Sequence, residues 1–158
     1  MKHVITALVE NQPGVLARVV GLISGRGYNI ESLNVAPTQD PNMSRMTIKV
    51  PGDDHVLEQV TRQLNKLVDV IRVSDLTGRR HLSRELVLVD VLAPAAKRAE
   101  VVQLAALFGA RVASVQVRSV TLEMVGDEDT ISNLLTLLKP HGIQDIARTG
   151  EIAVARGG

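Results

Sequence analysis

Cysteine and tryptophan are absent from this 158-residue chain, and its aromatic side chains are reduced to Tyr28 and Phe108. Without cysteine there are no disulfides, thiol nucleophiles or thiolate metal sites. Without aromatics there is no platform on which bases stack, which argues against an RNA-binding domain. Charge of one sign is lacking too. The 18 Lys and Arg stand against 17 Asp and Glu for a net +1, so nothing global attracts nucleic acid. No apolar run is long enough to span a membrane, and Met1-Lys2-His3 leads into a strand pattern rather than a signal peptide. The expectation is a cytoplasmic protein with neither nucleic acid nor membrane as partner.

What is present is aliphatic. Apolar residues make up 45% of the chain, enough to fill the core of one domain or two small ones. His3 to Val9 reads as a buried strand. Pro13 suits a helix start, and Val15, Leu16, Val19, Leu22 and Ile23 recur at helical spacing until Gly25 and Gly27 stop them. A strand follows over about 29–36, then the turn Pro37 to Asn42. The third strand alternates, with Met46, Ile48 and Val50 on one side and Arg45, Thr47 and Lys49 on the other. Leu57, Val60, Leu64 and Leu67 stripe a second helix, and 68–76 is a fourth strand. The order β-α-β-β-α-β is a ferredoxin-like unit.

Residues 77–83 are polar and basic and read as a linker, after which the pattern starts again. Strands are expected over 85–92, 112–117 and 119–125, and a last one over 143–155 interrupted at Thr149-Gly150. Val101, Leu104, Ala105 and Phe108 mark one helix, and Ile131, Leu134, Leu135 and Leu138 another. The fold class is therefore α+β, two tandem ferredoxin-like βαββαβ domains over 1–76 and 84–158. Each sheet is expected to carry helices on one face and to leave the other bare and apolar. That predicts association into a homodimer, edge to edge or face to face.

No catalytic constellation stands out. His3, His55, His81 and His141 are scattered without metal-ligand spacing and read as surface or turn residues. Asp53-Asp54 and Asp127-Glu128-Asp129 sit at helix starts, where capping explains them. Gly25-Arg26-Gly27 follows a helix, not a strand, so it is no dinucleotide fingerprint. Arg79, Arg80, His81 and Arg84 read as a solvated linker, with docking to an acidic partner as the sharper alternative. Arg18, Arg26 and Arg45 read as ordinary surface arginines. The stretch with chemistry runs from Glu10 to Ile30. A helix N-terminus welcomes an anion, Gly14 permits close approach, and Asn11 and Asn29 offer amide groups. This suits the backbone end of a free amino acid. Turn and cap roles for the same residues are the structural alternative.

Glu10-Asn11-Gln12-Pro13-Gly14-Val15-Leu16-Ala17-Arg18-Val19 resembles the opening of an ACT domain, the βαββαβ module that binds small effectors. Arg26 to Leu33, Val35 to Thr38, Ser44 to Ile48 and Gln63 to Val70 resemble the small regulatory subunit of acetolactate synthase, as does Ile146 to Ala153 near the end. The resemblance implies an effector-binding ACT domain over 1–76 and that family's own C-terminal ferredoxin-like domain over 84–158. It implies a chain that is not itself an enzyme. Its partner would be a catalytic (large) subunit holding thiamine diphosphate, Mg²⁺ and FAD, with none of these on this chain. The chain would activate that subunit and confer feedback inhibition by valine in branched-chain amino-acid synthesis. Valine would sit between two ACT domains of a homodimer. By motif position it would be lined by Asn11, Gly14, Val15, Leu16, Asn29 and Ile30. Val35 joins Ile30 as a candidate for packing the isopropyl group. An ACT-type sensor serving another enzyme is the alternative.

Overall fold

The computed structural model describes residues 2–157, which form two compact units. The first runs to Leu82 and regains the chain from Glu151 onward; the second spans Ser83–Gly150.

In the first unit, β1 (Lys2–Glu10), α1 (Val15–Gly25), β2 (Ser32–Pro37), β3 (Met43–Pro51), α2 (Asp54–Asn65) and β4 (Val70–Asp75) follow in order. The sheet order is β2-β3-β1-β4, and β3 is antiparallel to both β1 and β2. Alternation along β1 turns Ile5, Ala7 and Val9 toward the helices. There they meet Met46, Ile48 and Val50 of β3, Val15, Val19 and Ile23 of α1, and Val60 and Leu64 of α2. Each such side chain, fully buried, contributes roughly 1.5–3 kcal/mol of transfer free energy.

The second unit repeats the plan. It comprises β5 (His81–Leu92), α3 (Arg98–Leu107), β6 (Arg111–Val115), β7 (Ser119–Gly126), α4 (Glu128–Leu138), a 3-10 turn at Lys139–His141 and β8 (Ile143–Arg148), in sheet order β6-β7-β5-β8. Val87, Val89 and Val91 pack with Val120, Leu122 and Met124 against Val101, Ala105, Ile131, Leu134 and Leu138. Both central strands carry an irregularity at matching places, Leu8/Val9 and Asp90/Val91.

Several expectations need correcting. The expected linker is shorter, because His81, Leu82 and Ser83 already belong to β5. The expected last strand is two strands. β8 stays in the second unit, whereas β9 (Ile152–Ala155) lies in the first and pairs with β5, whose His81 and Leu82 are also in the first unit. The face of the first sheet opposite the helices is neither bare nor mainly apolar. It carries Thr6, Arg45, Thr47 and Lys49, and the segment from Glu151 onward lies on it. Ala153 packs on Val4 and Leu76, the Asn34 amide donates to Glu151 O at 3.1 Å, and Lys49 Nζ stands 3.7 Å from Glu151 Oε1. Thr47 and Lys49, on the side of β3 opposite Met46, Ile48 and Val50, are therefore buried. His3 is no surface residue: it is fully buried, and Nε2–H donates to Gly52 O and Asp53 O at 3.0 and 3.1 Å. Arg45 is not an ordinary surface arginine either; its Nη2 donates to Ala153 O at 2.8 Å.

The acidic helix starts are caps. Asp53 accepts from Val56 N–H, and Asp127 accepts from both the N–H and the hydroxyl of Thr130. The hydroxyl bond, then the N–H bond, hold the Asp127 carboxyl below the ordinary aspartate value. A lowered folded-state value means stability that is present above the unfolded value and lost as pH falls through the folded one. Asp127→Asn keeps the cap geometry and removes the titration. Thermal denaturation against pH should show the native chain more stable than the variant at neutral pH, the gap closing in acid. A gap independent of pH contradicts the ionic cap.

Candidate functional site

The turn between β1 and α1 is built around Gly14, the N-cap of α1, with φ 86°. An L side chain in this left-handed conformation is strained by roughly 1–2 kcal/mol, which explains glycine there. A Cβ would also lie 3.3 Å from Nη1 of Arg18. No side chain caps α1, and no acidic residue occupies its first turn. The other three α-helices differ: α2 and α4 have aspartate caps, and the first turns of α2, α3 and α4 carry Asp54, Glu100, and Glu128 with Asp129. The Val15 N–H reaches Gln12 O only at 3.4 Å, longer than an ordinary N–H···O bond. The positive end of α1 is thus left without a negative partner on its own helix.

Arg18, one turn along, adds a guanidinium beside Gly14. Its Nε donates to Asp69 Oδ2 at 2.8 Å. The pair is solvent-exposed and worth little as stability, yet it fixes where the guanidinium stands. Reasoning from sequence set Arg18 aside as a surface residue. The four-residue spacing from Gly14, one helical turn, is the signal that would have found it. Asn11 closes the other side. Its N–H donates to Asn42 O at 2.8 Å and its Nδ2 to Pro41 O at 2.9 Å, so it holds the β2–β3 turn against the start of α1. Val15 is buried beneath, and Leu16 is an exposed apolar side chain, 44% accessible.

Asn11, Gly14, Val15 and Leu16 therefore share one corner; Asn29 and Ile30 do not join them within one chain. β2 runs parallel to β1, since both are antiparallel to β3. Glu31 N–H bonds Lys49 O, and Lys49 is opposite Val4, whereas the Asn11 corner lies past Glu10. The steps from Val4 to Glu10, at about 3.3 Å each, separate the two groups by roughly 20 Å. Asn29 is exposed, and Ile30 packs partly into the core. Val35 is on β2, which is an edge strand, and it is 39% accessible. It lines a cavity of about 390 Å³ together with Ala36, Pro37 and Ile152.

The second unit has no copy of this corner. The N-cap of α3 is Lys97, without a positive φ, and Arg98 donates to Ala93 O, Gln116 O and Val117 O, tying the β6–β7 turn to the end of β5. Among the described residues no group of His, Cys, Asp and Glu could hold a metal ion, and no helix is long and apolar enough to cross a membrane.

Comparison with known proteins divides the chain in the same region. Residues 5–72 match the family described as "AHAS small subunit-like ACT domain", and residues 84–157 match "Small subunit of acetolactate synthase". A probable acetolactate synthase small subunit of Archaeoglobus fulgidus is 52% identical over 99% of this chain and 98% of its own length. The acetolactate synthase small subunit of Aquifex aeolicus is 49% identical over 98% of this chain and 81% of its own. The crystal structure of the acetolactate synthase small subunit from Thermotoga maritima superposes with a TM-score of 0.89 at 32% identity, covering 100% of this chain and 99% of that one.

Two glycines of the same region should respond oppositely to alanine. Gly14→Ala should lower the unfolding free energy by about 1–2 kcal/mol, because of its positive φ. Gly21→Ala, inside α1 with nothing within 4 Å of the new Cβ, should raise it by roughly 0.5–1 kcal/mol. Urea denaturation of both measures this; equal effects would remove the conformational account of Gly14.

Proposed function

The chain belongs to the acetolactate synthase small-subunit family, and on that premise we propose that it binds and activates the thiamine-diphosphate-dependent catalytic subunit and makes it sensitive to valine. In this reading the chain contributes no chemistry of its own, and thiamine diphosphate, Mg²⁺ and FAD belong to the catalytic subunit. The observation that carries the effector half is the start of α1, the α-helix with neither a side-chain cap nor an acidic first turn.

The α-carboxylate of the effector takes the N–H groups of Val15 and Leu16, at the positive end of the helix. Gly14 leaves room for it, and the Arg18 guanidinium stands beside it with its charge shared with Asp69. Oδ1 of Asn11 accepts from the ammonium. The rest of the site comes from a second copy. Pairing β2 with β2 across a two-fold axis is antiparallel, so the start of one β2 lies against the end of the other. That places the partner's Asn29 and the partner's Ile30 at the Asn11 corner, and closes an edge strand that otherwise offers unpaired backbone groups. Ile30 and Val35 pack the isopropyl group. A ligand held by two chains favours whichever dimer geometry binds it better, and differential affinity is what shifts the equilibrium. By linkage, valine inhibits only when the active holoenzyme binds it less tightly than the inactive one.

The test is acetolactate formation by the catalytic subunit with and without this chain, across titrations of valine, leucine and isoleucine. Activation with inhibition by valine is expected. Gly14→Asp should keep the activation and lose the valine response, because its carboxylate enters the effector carboxylate's place. Retained inhibition in that variant removes the site assignment. No effect on a cognate catalytic subunit removes the function and leaves a sensor serving another enzyme.

A further inference from the structure

The face of the first sheet turned away from the helices holds a cavity of about 400 Å³ that the proposed effector site does not use. Three arginines line it: Arg45 from β3, Arg72 from β4 and Arg79 from the turn that follows. Thr6 and Ser74 contribute hydroxyls, and the strand from Ile152 to Ala155 supplies one wall. No acidic residue is in the lining. All of these residues belong to the first unit.

Like charges gathered in this way repel, and no acidic side chain lines the cavity to offset them. Arg45 is the most enclosed of the three. One of its nitrogens is committed to Ala153 O at 2.8 Å, and its Nε is buried with no hydrogen-bond partner. Burial first, and then the charge of Arg72, lower its pKa from the ordinary arginine value. Among the described residues neither Arg72 nor Arg79 has an ion-pair partner. Three arginines on one cavity wall, with hydroxyls between them, form a donor array for an anion with several acceptor oxygens. A monocarboxylate such as that of a free amino acid has too few acceptors for it. A tetrahedral dianion has enough.

We propose that the cavity formed by Arg45, Arg72, Arg79, Thr6 and Ser74 beneath the returning C-terminal strand is a second ligand site, and that it binds a phosphate group. The site is distinct from the β1–α1 corner, and the proposal does not depend on the function assigned to that corner. The phosphate group comes either free or as a phosphomonoester. The cavity is open to water through Arg72 and Arg79, both of which are exposed.

The experiment is isothermal titration of the full chain with orthophosphate, with glycerol phosphate as a phosphomonoester, and with malonate, at matched ionic strength in chloride. Saturable phosphate binding is expected. The double variant Arg72→Ala with Arg79→Ala should weaken it by about tenfold or more. Arg80→Ala, in the same exposed turn but outside the cavity, should leave it unchanged. Both variants alter exposed side chains, and circular dichroism checks that they fold. Arg72→Lys with Arg79→Lys keeps the charge and should restore part of the affinity. Tighter binding of glycerol phosphate than of orthophosphate assigns the site to an ester, and the reverse order assigns it to the free ion. Phosphate heats that match chloride, equal affinity for malonate, or a double variant indistinguishable from the native chain each overturn the proposal.

Discussion

Alternation along β1 decides what every other part of the first unit does. This central strand is hydrogen-bonded to β3 on one side and β4 on the other. Its odd-numbered residues from His3 to Val9 face the helices, and its even-numbered ones from Val4 to Leu8 face the other way. A slip of one residue would exchange the two sets and turn the aliphatic core outward. The register also sets the sites. It brings the end of β1 to the start of α1, where Gly14 turns the chain. It also puts Thr6 on the opposite face, with Arg45, Arg72 and Ser74.

The start of α1 is where the fold departs from local optimisation. Asp53 and Asp127 cap α2 and α4 from extended backbone. At position 14 the left-handed conformation would strain a Ser, Asp or Asn by roughly 1–2 kcal/mol, more than the few tenths such a cap gains over glycine. The chain instead has a glycine in the left-handed region, followed by no acidic residue for a turn. Leaving a helix end unsatisfied at the surface costs little while water is present, and it keeps the N–H groups available to a ligand. The second unit shows the alternative. At its corresponding turn Arg98 occupies three carbonyls and no glycine precedes the helix. Two units with one plan thus differ at the one place where an effector is proposed to bind.

Much of this was legible in the sequence. The hydrophobic periods give both βαββαβ orders, because the helices bury a regular stripe and the strands alternate. The aspartate caps follow from residue type and position. The return of the C-terminal strand to the first unit was not legible. Thr149-Gly150 looks like an interruption within one strand, and nothing local says that residues 152–155 pair elsewhere. The burial of Thr47, Lys49 and Arg45 follows from that return, since alternation assigns a polar face to water unless another segment covers it. His3 escaped because its partners, the carbonyls of Gly52 and Asp53, are distant in sequence. The separation of Asn29 from Asn11 was within reach. A strand–helix–strand connection makes β1 and β2 parallel, so the start of β2 has to lie by the start of β1. Within one chain the motif residues stand at opposite ends of the sheet, and a two-fold partner is what reunites them in the proposed dimer.

That reunion is the central claim, and subunit mixing tests it most directly. Asn11→Ala and Asn29→Ala each break every composite site of their own homodimer. A dimer of one of each regains a single site with both asparagines intact. Calorimetric titration of the separate variants and of a co-expressed mixture would count the valine sites. The account predicts negligible binding by either variant alone and recovery of roughly a quarter of the native sites in a random mixture. A mixture that binds no more valine than its parents would show that the two asparagines do not meet across the dimer.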